Sequence, residues 1–151
     1  MRVYLAAAPA ALVAPQLEAE IVYAVTPALA AVFPDDDEEE LEAIAALCAA
    51  ELSLSLLGAG PARRLVVAAD VEPERLREVT DREDLYTGAL ALDGPVAWEE
   101  AVSLHLDDVA AEEAVRAARS QPERADELLA EHDLLWFDIS ERGKVAASLG
   151  L

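Results

Sequence analysis

The sequence predicts an α/β (mixed α and β) protein: a single mixed sheet of about five to six strands covered by helices, in one globular domain spanning residues 1–151. Three observations predict it. Short apolar or β-branched runs of strand length alternate with helix-length segments, and Pro and Gly punctuate them. The chain has 151 residues, and a chain of that size buries roughly 70% of its unfolded surface without cross-links. Hydrophobic residues make up 54% and aromatics only 5%, so Ala, Leu and Val must build the core.

Arg2 to Ala6 is β-prone, and Pro9 then suits the first turn of a helix running towards Glu18, with a break at Pro15. Ile21 to Val25 is a second strand, rich in β-branched and aromatic residues. Thr26 followed by Pro27 reads as N-cap and first helical position of a helix that ends before Pro34. The acidic run Asp35 to Glu40 then opens a long helix, because carboxylates favour the positive end of the helix dipole. Leu41, Ile44, Cys48 and Leu52 share one face of it. Leu47, Ala50 and Leu54 widen that face, making Leu47 and Leu54 candidates for a dimer contact. Gly58, Gly60 and Pro61 end the helix.

Leu65 to Val71 is apolar on both faces and reads as a central strand. Pro73 to Val79 reads as a short helical turn, and Asp81 to Asp84 as a loop. Gly88 to Leu92 and Val102 to Leu106 alternate as strands, separated by the Asp93-Gly94-Pro95 turn and by Val96 to Ala101. Asp108 caps a helix from Ala110 to Ser120, and Pro122 to His132 continues it as a second helix. Leu134 to Ile139 is the last strand, with Trp136 and Phe137 read as core, and Ser140 caps a final helix carrying Val145 and Leu149. Alternation of this kind favours at least some parallel strand pairs.

The charge balance is lopsided: 31 Asp plus Glu against 11 Lys plus Arg, net −20. Such a field repels nucleic acid and anionic membranes and favours a basic protein partner or bound cations. No run reaches the roughly 18–20 apolar residues that span a bilayer. The apolar stretch after Arg2 is interrupted by Pro9 and Pro15, unlike a secretory signal core, so a cytoplasmic location is expected. Cys48 is the only cysteine, which excludes an internal disulfide and a cysteine metal cluster.

No dinucleotide, phosphate-loop, nucleophile-elbow or metalloprotease motif is present. Only His105 and His132 are available for a Ser–His–Asp arrangement, with Ser103, Ser120 and Ser140, and no spacing supports one. One constellation stands out. Asp70, Asp107 and Asp138 fall at the carboxyl ends of predicted strands, where open α/β sheets place their ligands. His105 lies two residues before Asp107 on one strand face. Together these four are candidate ligands for a divalent cation such as Mg²⁺; no other cofactor is implied. Trp98, after the Gly94-Pro95 turn, is a candidate contact residue at the sheet edge.

The chain resembles a family of uncharacterised actinobacterial proteins of similar length. The resemblance is carried by Met1-Arg2-Val3-Tyr4-Leu5, Tyr23 to Leu29, Val66 to Val71, His105-Leu106-Asp107-Asp108 and Leu135-Trp136-Phe137-Asp138. It implies a small cytoplasmic protein of a GC-rich bacterium and brings no activity or site with it. The function is therefore open among three classes. The first is a non-enzymatic protein acting as a homodimer or with a basic partner. The second is a metal-assisted enzyme or metal-binding regulator at the acidic constellation. The third is a small-ligand binding domain.

Overall fold

A computed structural model describes residues 1–151. Seven strands form one open sheet: β1 (Arg2–Ala7), β2 (Ile21–Tyr23), β3 (Leu65–Asp70), β4 (Leu76–Glu78), β5 (Ala89–Leu92), β6 (Ala101–Leu106) and β7 (Leu135–Asp138). Their order across the sheet is β4-β5-β2-β1-β3-β6-β7. Five helices accompany them: α1 (Pro27–Val32), α2 (Glu38–Leu54), α3 (Glu112–Ser120), α4 (Ala125–Glu131) and α5 (Arg142–Ser148).

The sheet has one strand more than the upper expectation, because Leu76–Glu78, read as part of a helical turn, pairs with β5 after a 3₁₀ turn at Pro73–Arg75. The region from Pro9 is likewise a short 3₁₀ turn, Pro9–Val13, rather than a helix. The expectation of parallel pairs is wrong: every neighbouring pair is antiparallel. The reason lies in the crossover. β2 and β3 do run the same way, joined through α1 and α2, but β1 sits between them and pairs antiparallel with both.

Local signals set the helix starts. Thr26 accepts a hydrogen bond from the Leu29 N–H with Pro27 at the first position. Asp37 and Glu40 form a reciprocal capping box at the head of α2. The last helix departs from the expected cap: Asp138, not Ser140, accepts from the backbone ahead of it, and Glu141 returns a bond to the Asp138 N–H.

The sheet is buried on both faces at its centre. One face carries Val3, Leu5, Val67, Leu104 and Leu106 in a core cluster of 20 residues that α5 helps to cover. On the other face Tyr4, Tyr23, Val66 and Ala68 meet α2. Leu65–Asp70 is the central strand the sequence predicts, with every residue but Asp70 buried. The face α2 lays down is Leu41, Ala45, Ala49, Ala50 and Ser53, not the Ile44–Cys48 stripe, which is half-buried. Small residues let the helix approach the sheet closely, so volume rather than hydrophobicity sets its rotation.

Candidate functional site

The acidic constellation does not assemble. Asp107 follows β6 at the end of the sheet where β3 begins, with its carboxylate fully buried against Arg64. Asp70 ends β3, so at about 3.3 Å per residue it lies roughly 20 Å away along the strand. Asp138 pairs opposite Ser103, also towards the far end of β6 from Asp107. No three His, Cys, Asp or Glu side chains are grouped so that they could hold one metal ion.

Each carboxylate has other work. Asp70 accepts from Arg2 at 2.7 and 3.2 Å, and that guanidinium holds its carboxyl below the usual range. The Asp138 carboxyl is held down by the Ser140 hydroxyl and N–H, which donate at 2.6 and 2.9 Å. Asp107 accepts from Arg64 three times: at Oδ2 from the backbone N–H and Nε, both 2.8 Å, and at Oδ1 from Nη2 at 2.7 Å.

Trp98 is not an edge contact. It is buried at 9% exposure, its Nε1 donates to the Ala14 carbonyl at 2.8 Å, and the Arg142 guanidinium lies 4.2 Å from its ring centroid. The residues after Pro95 turn inward because Val96 bridges to Leu17, carrying Trp98 under the N-terminal turn. Leu47 is exposed and Leu54 half-buried; both line a groove of about 240 Å³ between α2 and α4, with Tyr86 and Leu129. Burial, then Glu51, pushes the Cys48 thiol on the wall of that groove up to about 11, so it is an inert thiol at neutral pH.

Trp136 is the residue the sequence misplaces. Expected in the core, it is 61% exposed. An α-helix is about 10–12 Å across and strands are about 4.8 Å apart, so one helix covers about two to three strands. α2 packs on β1, β2 and β3, and on the same face burial falls off from Ser103 and the half-buried His105 of β6 to the exposed Trp136 of β7. That face carries Ser103 and His105 on β6, with Trp136 opposite His105 on β7. With Tyr4, Arg2, Glu39 and Glu42 these side chains line a cleft of about 350 Å³. The Tyr4 and His105 rings meet edge to face, centroids 6.4 Å apart.

The cleft holds a serine and a histidine in contact. Ser103 Oγ and His105 Nε2 share a hydrogen bond of 3.2 Å, but no carboxylate accepts from the other ring nitrogen to orient the imidazole, as a nucleophile's base requires. The arginine in the cleft, Arg2, is engaged by Asp70. Glu39 and Glu42 therefore give the opening a negative field beside an exposed indole, a surface suited to a cationic group. Its residues are scattered from Arg2 to Trp136, and only the Ser103–His105 alternation was visible in advance.

Burial lowers the His105 pKa below the ordinary histidine value. In the unfolded chain the ring takes up its proton near pH 6.5, so between that pH and the folded value the unfolded state binds more protons. The stability gained by keeping His105 neutral is complete above about pH 6.5 and is lost as pH falls through the folded pKa. Urea midpoints should fall as pH drops below about 6.5, and His105→Gln should flatten that part of the profile. An unchanged slope in the variant would show that His105 is not its source.

At the sheet's other edge, a cavity of about 550 Å³ lies against the segment between β4 and β5, lined by Leu76, Leu85, Leu90 and Thr26 among others. Its charged lining residues are the exposed Glu78 and Arg82 and Met1, whose ammonium donates to the Val71 carbonyl at 2.8 Å.

A family model described as a family of unknown function (DUF6912) matches residues 1–145. No curated protein and no solved structure matches the chain. No helix is long and apolar enough to cross a membrane. The match runs from β1 into α5 and so takes in every residue of the cleft: the chain belongs to the DUF6912 family of unknown function.

Proposed function

We propose that this protein is a non-enzymatic binding module that docks a basic protein partner on the face formed by Trp136, Glu39 and Glu42. The observation that carries the reading is an indole left 61% exposed at the border of an acidic, aromatic-lined cleft. Large exposed aromatics are costly to leave in water and are over-represented among residues that dominate interfaces. Charge supports the choice of partner. Copies of a chain with net charge −20 repel one another, whereas a basic segment is drawn in from a distance. A homodimer through the Leu47–Leu54 groove has no such attraction behind it.

The test is a calorimetric titration with a ten-residue oligolysine at low ionic strength. Trp136→Ala should weaken binding about tenfold, the loss of roughly 1.4 kcal/mol expected of a ring that contacts a cation. Glu39→Gln with Glu42→Gln should do at least as much. Removing two carboxylates elsewhere, Glu123→Gln with Glu127→Gln, should change affinity less than about twofold. Equal losses in both double variants, with Trp136→Ala silent, would reduce the binding to diffuse attraction and overturn the reading.

A further inference from the structure

We infer that the partner docks as an added strand: an extended segment, alternately basic and apolar, that hydrogen-bonds to the open edge of β7. This rests on the reading above and names the form of the partner. β7 ends the sheet and pairs only with β6. The Asp138 N–H donates to Glu141 Oε2 at 2.9 Å, so it is turned away from β6. In an antiparallel ladder the backbone groups of successive residues point to opposite sides. The N–H and C=O of Trp136, two residues earlier, therefore face outwards too, while those of Leu135 and Phe137 face β6. An unpaired donor and acceptor sit at the most exposed aromatic of the chain.

The two faces of that edge differ in chemistry. On the α2 side lie Trp136 and the carboxylates of Glu39 and Glu42. On the opposite side Leu135, 45% exposed, and Phe137 border a groove of about 290 Å³ with Leu106 and Val145, whose other lining residues carry mixed charge: Arg63 and Lys144 against Asp107, Asp108 and Glu141. Side chains of an added strand alternate between these faces, so basic residues would fall on the first and apolar residues on the second. The other edge of the sheet is less suited. β4 presents Arg77 and Glu78, and charged side chains on an edge oppose strand addition. β7 bears no charge before Asp138.

Four seven-residue peptides test this on the intact protein: one alternating lysine and valine, one of the same composition with its lysines and valines in separate blocks, and two alternating peptides, each N-methylated along a different backbone edge. The alternating peptide should bind at least about tenfold tighter than the block peptide. Methylation of one edge, and not the other, should remove that advantage. Hydrogen exchange at the Trp136 amide should slow on binding. Equal binding of all the peptides, lost on Trp136→Ala but without protection of the amide, would overturn strand addition and leave the basic docking face standing. Binding of none of them, nor of oligolysine, would overturn both.

Discussion

Asp107→Ala is expected to destabilise the protein by about 3–5 kcal/mol, the cost of leaving a buried cation without its counter-charge. The Arg64 and Asp107 side chains are 3% and 0% exposed. Removing the carboxylate strips Arg64 of three bonds at once, from its backbone N–H, Nε and Nη2. Arg64 Nη2 also donates to the His132 carbonyl at 3.0 Å, so the pair fastens the end of α4, and with it the start of β7, to the junction of β3 and β6. For a domain of this size the loss should lower the thermal midpoint by roughly 10–15 °C. Replacing both charges, Arg64→Met with Asp107→Leu, should recover part of the loss, because the pair's mutual attraction mostly offsets its own desolvation. Recovery should be incomplete, since the His132 carbonyl and the Arg64 N–H still lose a partner. Calorimetric scans of the single and double variants decide it: a single variant within about 1 kcal/mol of the parent would mean water reaches the site.

Ser53→Ala is expected to cost about 2–4 kcal/mol, a large effect for one hydroxyl. Ser53 is fully buried near the C-terminus of α2. Its Oγ donates to the Ala7 carbonyl at 2.6 Å and accepts the Leu65 N–H at 3.1 Å. Ala7 and Leu65 are the paired residues that end the β1–β3 ladder, so one hydroxyl satisfies both strands where the sheet stops. Without it, two buried backbone groups lose their partner, at about 1–3 kcal/mol for each group left unsatisfied. Ser55→Ala is the control. Its exposed hydroxyl donates to the Leu52 carbonyl, and its loss should change stability by less than about 0.5 kcal/mol. Similar urea midpoints for the two variants would show that Ser53 is not the bridge.

Much of the framework was legible in advance because its causes are local. Thr26-Pro27 and the Asp35–Glu40 run announced helix starts through capping and dipole chemistry, which act within one turn. Leu65–Asp70 announced a central strand because a segment buried on both faces must be apolar at successive positions. Local pattern misled where neighbours mattered. Leu134–Ile139 is as apolar as a core strand, yet Trp136 points past the edge of α2 into water. Trp98 follows a turn, yet the Leu17–Val96 bridge draws it inside.

What the sequence determined alone was most of the inventory: the strands and helices whose signals are local, the helix starts at Thr26 and within Asp35–Glu40, and a net charge of −20. Only the tertiary structure decided the directions of neighbouring strands. β1 enters between β2 and β3, every adjacent pair becomes antiparallel, and Asp70 and Asp107 go to opposite ends of the sheet. It also decided how far α2 reaches across the sheet, and so created the cleft beside Trp136. Propensity and capping act over a few residues, whereas pairing order and helix cover are set by the burial of the whole chain at once.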